Sequence, residues 1–203
     1  MKFSGNVDPQ YSYPMYSMEK KESAISVEDF VNEEEIRLLE HATKFEQKVT
    51  GILANEGVDE SIRKSNVTFL KLSALLEPFH RKLTSFVHHY NNQCYRYRIG
   101  FIETLQFTEY KVGYFYDWHR DTLDKEYNIF FEQRKLSISI QLTDPSEYEG
   151  GDLEFYHPEG PKKAPRQKGT AIIFPSYMYH RVTPVTKGRR LSLVSWINGP
   201  DFC

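Results

Sequence analysis

The sequence predicts a mainly β chain with supporting helices, an α+β fold whose strands close into a sandwich or barrel. Three observations carry this. After residue 95 the chain breaks into short strand-like runs separated by Gly and Pro turns. Aromatic residues make up 15% of the 203 positions, nearly all Phe and Tyr, which suits wide pleated surfaces. Before residue 95, two stretches instead repeat apolar residues at helical spacing.

In chain order, residues 1–25 show no sustained period and are expected to form an irregular arm or a first strand. Asn32 followed by Glu35 is a capping-box start, because an Asx cap and a Glu three residues on satisfy the exposed first-turn amides. An acidic amphipathic helix should follow with Ile36, Leu39 and Phe45 inward. The polar span from Glu46 to Asn66 is expected to be loop. A second helix is predicted over Leu72 to Asn91, with Leu75, Phe79, Leu83, Phe86, Val87 and Tyr90 on its inner face. It can hold Pro78 only in its first turn. His88 and His89 point about 100° apart on such a helix, so one metal rarely takes both. Strands are predicted at Arg96–Ile102, Glu103–Tyr110, Asp117–Asp121, Leu136–Leu142, Leu153–Tyr156, Thr170–Phe174, His180–Val185 and Arg190–Ile197. The alternation in Leu136-Ser-Ile-Ser-Ile-Gln-Leu142 should send the apolar side chains toward the helices and Ser137, Ser139 and Gln141 toward a pocket. Gly150-Gly151 reads as a turn. The long connection Thr122 to Arg134 carries charged ends and an aromatic centre, and reads either as a lid over the neighbouring site or as the start of the next strand.

Composition sets outer bounds. A chain of 203 residues with 39% apolar content can bury one substantial core, so a single domain over 1–203 is expected, with 1–95 as helical support and 96–203 as the β core. The net charge of −2 disfavours nucleic acid as a partner. Two cysteines, Cys94 and Cys203, make no disulfide framework. No apolar run has the length of a signal peptide or a membrane span, so no membrane partner and a cytoplasmic location are expected.

The chemistry concentrates in His119-Arg120-Asp121, followed much later by His180 and Arg190. Two His and one carboxylate form the facial triad that holds Fe(II) and leaves the opposite face open. His119 and Asp121 are two apart, so on a strand they share a face, as one metal requires. His180 lies between an apolar run, Ala171 to Pro175, and Val182-Thr-Pro-Val185, in a strand–turn–strand pattern. Arg190 and Ser192 also share a face, and an Arg fork beside a hydroxyl suits a buried ligand carboxylate. The bland alternative is a surface Asp–His pair, a lone loop His and a solvated Arg. Asp117 and Asp124 read as solvated acids.

Residues Tyr110 to Trp196 resemble the catalytic core of the prolyl 4-hydroxylase-like 2-oxoglutarate oxygenases, in texture the PKHD-type hydroxylases. The resemblance rests on Tyr110-Lys-Val-Gly113, Trp118-His-Arg-Asp121, Leu142-Thr-Asp-Pro145, Glu149-Gly-Gly-Asp-Leu153, Gly169-Thr-Ala-Ile-Ile-Phe-Pro-Ser176 and His180 through Arg190 to Trp196. It implies a double-stranded β-helix (jelly roll) core and an Fe(II)- and 2-oxoglutarate-dependent hydroxylase that uses O2, with ascorbate as a reductant. It further implies His119, Asp121 and His180 as iron ligands, and Arg190 on the far carboxylate of 2-oxoglutarate with Tyr110 and Ser192 assisting. Leu153, Val182 and Trp196 would line that pocket or belong to plain core. Related halogenases replace the carboxylate ligand with a small residue, so Asp121 argues for hydroxylation. The expected substrate is a protein or peptide, with a small-molecule hydroxylase and a non-catalytic jelly-roll binding module as the competing readings.

Overall fold

A computed structural model describes residues 23–50, 61–122 and 132–200. The strands are β1 (Ile25–Val27), β2 (Lys48–Thr50), β3 (Arg63–Lys64), β4 (Asn66–Leu70), β5 (Phe101–Ile102), β6 (Leu105–Tyr110), β7 (Phe115–His119) and β8 (Glu132–Gln141). They continue with β9 (Tyr148–Gly150), β10 (Leu153–Phe155), β11 (Lys162–Lys163), β12 (Ala171–Pro175), β13 (His180–Val182), β14 (Val185–Gly188) and β15 (Arg190–Pro200). Among the described residues, two α-helices, α1 (Glu33–Ala42) and α2 (Glu77–Tyr90), lie in the N-terminal half.

The strands form a double-stranded β-helix. Its major sheet runs β1-β12-β8-β15-β6-β4-β2, with β5 added to the end of β15, and its minor sheet runs β11-β10-β13-β7-β3. A two-stranded ribbon pairs β14 with β9. Each pairing is antiparallel, so neighbouring strands can be joined by tight turns and the pleat gives every strand one inward and one outward face.

The helices cover the outer face of the major sheet. Asn32 caps α1 by accepting from the Glu35 amide at 2.9 Å, while the Glu35 carboxylate accepts from the Asn32 amide at 3.0 Å. Ile36 and Leu39 of α1 and Phe79, Leu83, Phe86 and Val87 of α2 pack against Leu136, Ile138, Ile140, Leu191, Leu193 and Ile197 of the sheet. Each such side chain contributes on the order of 1.5–3 kcal/mol through burial, and together they anchor the platform that carries the site. A second apolar cluster fills the space between the two sheets around Leu153, Phe155, Ile172, Phe174 and Val182.

Several expectations need correction. The span Glu46 to Asn66 is not simply loop, since β2 and β3 fall within it and β4 begins at its end. These strands pair through β4 with β6 and through β3 with β7, partners far away in the chain that no local pattern announces. The N-terminal half therefore supplies strands to both sheets as well as the helices. Phe45 sits in a 3-10 turn beyond α1 with 72% of its surface exposed. The second helix starts at Glu77 rather than Leu72, which leaves Leu75 outside it and exposed, and Pro78 occupies its first turn, where no amide hydrogen is needed. The predicted strand Arg96–Ile102 shrinks to Phe101–Ile102, because α2 runs into a π-helical turn at Asn91–Tyr95 and Arg96 adopts a left-handed φ of 58°. The centre of the Thr122–Arg134 connection, with Asp124, lies outside the described residues, as does Cys203.

Candidate metal centre and carboxylate pocket

His119 ends β7 and His180 begins β13, and the two are direct cross-strand partners. Their rings lie 4.1 Å apart between centroids. Asp121 falls two residues beyond the end of β7, in coil rather than on the predicted strand. Its amide donates to the Ser176 carbonyl at 2.9 Å, which turns the chain so that its carboxylate meets both imidazoles. Its oxygens lie 3.6 Å from His119 Nε2 and 3.5 Å from His180 Nε2. The ligand atoms of all three residues fall within 4.8 Å of one another, and no other such group of His, Cys, Asp or Glu occurs among the described residues.

The surroundings settle how each group presents itself. His119 Nδ1 lies 2.7 Å from the Asp117 carbonyl and His180 Nδ1 lies 2.9 Å from the Met178 carbonyl. A carbonyl can only accept, so both Nδ1 atoms carry the proton and both Nε2 lone pairs face Asp121. The Ser137 hydroxyl donates to Asp121 Oδ2 at 2.7 Å and in turn accepts from the Ser176 hydroxyl at 2.9 Å. Burial, reinforced by His180, lowers the His119 pKa to about 3, which keeps the ring neutral. Burial alone would raise Asp121, but the adjacent His180 and His119 and the Ser137 hydrogen bond outweigh it and hold the carboxyl below its ordinary value. Two imidazoles that turn Nε2 toward an ionised carboxylate, each group fixed by an outer hydrogen bond, match what a borderline divalent metal requires.

Arg190 lies further along the same cavity, 1% exposed. Its Nη2 donates to Gln141 Oε1 at 2.9 Å, and the Gln141 amide is held in that sense by donating from Nε2 to the Pro165 carbonyl at 3.1 Å. Arg190 Nη1 reaches Ser192 Oγ only at 3.5 Å, and Nε has no partner. No described carboxylate pairs with this guanidinium. A buried, permanently charged fork with unused donors calls for an anionic ligand. Tyr110 lies opposite Arg190 across the β6–β15 ladder, with its ring centre 5.4 Å from the guanidinium carbon. Arg189 points away, is exposed and reaches Glu109.

These groups line one cavity of about 850 Å³ between the two sheets. Leu153, Val182 and Trp196 line it too, as do Ser139 and Ser192. Two further features lay beyond sequence reasoning. The Tyr116 ring stacks on His119 at 3.5 Å and 11°, and the Arg63 guanidinium carbon lies 4.7 Å from the Tyr116 ring centre. Tyr116 is three residues from His119, so simple alternation would place it on the opposite face. A register shift between β7 and β13, where His180 pairs with His119 but Val182 with Tyr116, brings it round. The second feature is the bidentate Arg134–Glu103 pair, both bonds 2.7 Å, which lays Arg134 over the Trp196 ring at 3.9 Å. Its partners are separated by a stretch that shows no period.

Residues 105–198 match the family model of the 2OG-Fe(II) oxygenase superfamily. Relatives of the chain include a PKHD-type hydroxylase of Gloeothece citriformis, 36% identical over 96 residues that cover 47% of this chain and 43% of the relative. A PKHD-type hydroxylase of Alteromonas mediterranea is 42% identical over 62 residues, or 30% of this chain and 27% of the relative. The chain thus spans less than half the length of these curated relatives. The fold is similar to that of a Pseudomonas putida prolyl-4-hydroxylase, with TM-score 0.69 and 18% identity over 87% of this chain and 92% of the other. It is also similar to a Trichoplax adhaerens prolyl hydroxylase in complex with a hypoxia inducible factor peptide fragment, with TM-score 0.72 and 16% identity over 87% and 84% of the two chains. No helix among the described residues is long and apolar enough to cross a membrane.

Proposed function

We propose that the protein is an Fe(II)- and 2-oxoglutarate-dependent dioxygenase that hydroxylates a C–H bond in a protein or peptide substrate. One observation carries the reading: two Nε2 lone pairs and a carboxylate converge within 4.8 Å, in one cavity with a buried guanidinium that no described carboxylate neutralises. A non-catalytic binding module would have no use for both features together.

His119 Nε2, His180 Nε2 and one Asp121 oxygen would hold the metal, and Arg190 would take the distal carboxylate of 2-oxoglutarate. When bound, ferrous iron activates O2, so that one oxygen atom enters the substrate C–H bond and the other enters succinate as 2-oxoglutarate loses CO2. The protein's own share is orientation and electrostatics. The Nδ1 hydrogen bonds to the Asp117 and Met178 carbonyls fix the imidazole planes, and the Ser137 hydroxyl steadies one Asp121 oxygen. Gln141 holds the Arg190 fork open toward the cavity, and Ser192 and the Tyr110 ring wall the carboxylate end. Ascorbate would serve only to return the iron to the ferrous state. The fold likeness to prolyl hydroxylases, one of them seen with a peptide, supports proline within a polypeptide as the target.

The test is succinate release from 2-oxoglutarate under Fe(II) and air, with a mass-spectrometric search of exposed lysate proteins for gain of one oxygen atom. Failure of Fe(II) to elicit any 2-oxoglutarate turnover, with or without lysate, would overturn the assignment.

A further inference from the structure

The cavity is lined by more residues than the triad and the Arg190 end. Beyond the triad, away from Arg190, its floor follows the inward face of the major sheet, where Phe69 of β4, Gln106 of β6 and Val194 of β15 lie side by side in register. Phe101, Lys71 and Arg120 line the same cavity. Phe69 is 42% exposed and Phe101 50% exposed, an apolar surface open to water at the mouth of a site and continuous with it. Cations outnumber acids here. Arg134 is matched by Glu103, Lys71 meets only the partly exposed Glu46 at 3.2 Å, and Arg120 lies over the Tyr179 ring with no described carboxylate paired to it. Apart from the metal-site Asp121, Glu103 is the one acidic side chain among the described residues that line the cavity. This cationic edge belongs to a chain whose formal net charge is −2.

We infer that this outer arm seats an extended acidic polypeptide segment, with an apolar side chain against Phe69 and Phe101 and a carboxylate facing Arg120 and Lys71. The inference rests on the hydroxylase reading and names the substrate class that reading leaves open. An extended segment suits a floor made of the pleat of three adjacent strands, because it can lie flat on the pleat with alternate side chains turned down onto it. A few cations beside two phenyl rings fit one or two carboxylates better than a phosphate backbone, whose binding draws on many more charges.

The test uses the full chain with Mn(II) and 2-oxoglutarate and measures fluorescence anisotropy of short synthetic peptides with a central proline. One peptide carries a Leu and two Asp around the proline, the second replaces the Asp with Lys, and the third replaces the Leu with Ser. The acidic Leu peptide should bind roughly tenfold tighter than the Lys version, a difference on the order of one well-placed charge pair, and the gap should narrow as salt is raised. Arg120→Glu combined with Lys71→Glu should reverse the order of the Asp and Lys peptides, and Phe69→Ser should erase the advantage of Leu over Ser. Leu72→Ser, at an exposed apolar residue outside the cavity, should change none of these ratios. Equal binding of the three peptides, no binding of any, insensitivity to the double charge reversal, or tighter binding of a single-stranded oligothymidylate would overturn the inference. Succinate release by the wild-type protein without peptide is scored separately, so the substrate class can fail while the oxygenase reading stands.

Discussion

Arg190 heads the fully buried side chains in size, and a guanidinium in that position is stable only if something answers its charge. If that is a ligand carboxylate, Arg190→Lys keeps the charge but loses the planar fork, and 2-oxoglutarate affinity should fall by roughly 1–3 kcal/mol. Arg189→Lys, on the exposed side of the same strand, should change it little. Calorimetric titration of 2-oxoglutarate into the Mn(II)-loaded proteins checks both, and an equal response at the two positions would contradict the assignment. His119 gives a pH prediction. Its folded pKa of about 3 lies below the ordinary 6.5 because burial disfavours the imidazolium, so folding favours the neutral ring. In the metal-free protein that stabilisation is complete above about pH 6.5 and is lost as pH falls toward 3, at up to about 1.4 kcal/mol per unit. Denaturant unfolding at stepped pH should show this slope, flattened in His119→Gln, which takes up no proton. At this scale the sequence was legible: residue types and spacings marked His119, Asp121, His180 and Arg190 as candidates. Arg63 and Glu103 went unread because their partners are distant in the chain, and Tyr116 because simple alternation turns it away from His119.

Strand β8 shows how much an element can reveal about itself. Its alternation sends Leu136, Ile138 and Ile140 to the helix side and Ser137, Ser139 and Gln141 to the other face, where Ser139 lines the cavity, Ser137 meets Asp121 and Gln141 meets Arg190. The helix cores were legible for the same reason, and their ends less so, because the chain around Leu72 to Leu76 is apolar without being helical. Strands of two or three residues, such as β2 and β3, were beyond reach, since so short a run has no period. The Gly150-Gly151 turn is a different matter. Gly150 has φ +69°, and a Cβ there would land on the Pro184 carbonyl oxygen, which already accepts from the Gly151 amide. Gly150→Ala should therefore cost roughly 2–4 kcal/mol of stability, combining left-handed strain with the clash. Gly160→Ala, at φ +110° with open space where the new methyl would sit, carries the strain without the clash and should cost less. Thermal denaturation of the two variants measures the difference, and equal losses would show that the turn tolerates the displacement of Pro184.

At the scale of the whole molecule, the site ties the two sheets together. His119 and His180 belong to the minor sheet, whereas Ser137 and Arg190 belong to the major sheet. A metal held there bears on global stability. Mn(II) at about a hundred times its dissociation constant should add about 2.7 kcal/mol, which for a chain of 203 residues raises Tm by roughly 5–10 °C. Asp121→Ala should abolish the rise while leaving the metal-free Tm within a few degrees, and a rise that survives would place the metal elsewhere. By itself the sequence determined the fold class, the two helices, the faces of β8 and the residues able to ligate a metal or answer a carboxylate, because each of these follows from periodicity or from side-chain chemistry. The tertiary structure decided which of those residues meet. Asp121 reaches the two imidazoles only because its amide is anchored on Ser176, and Tyr116 reaches His119 only because the β7–β13 register slips. Strands β2 to β4 exist only through pairing with β6 and β7. Those outcomes depend on hydrogen bonds between residues far apart in the chain, and no local pattern encodes such a partner.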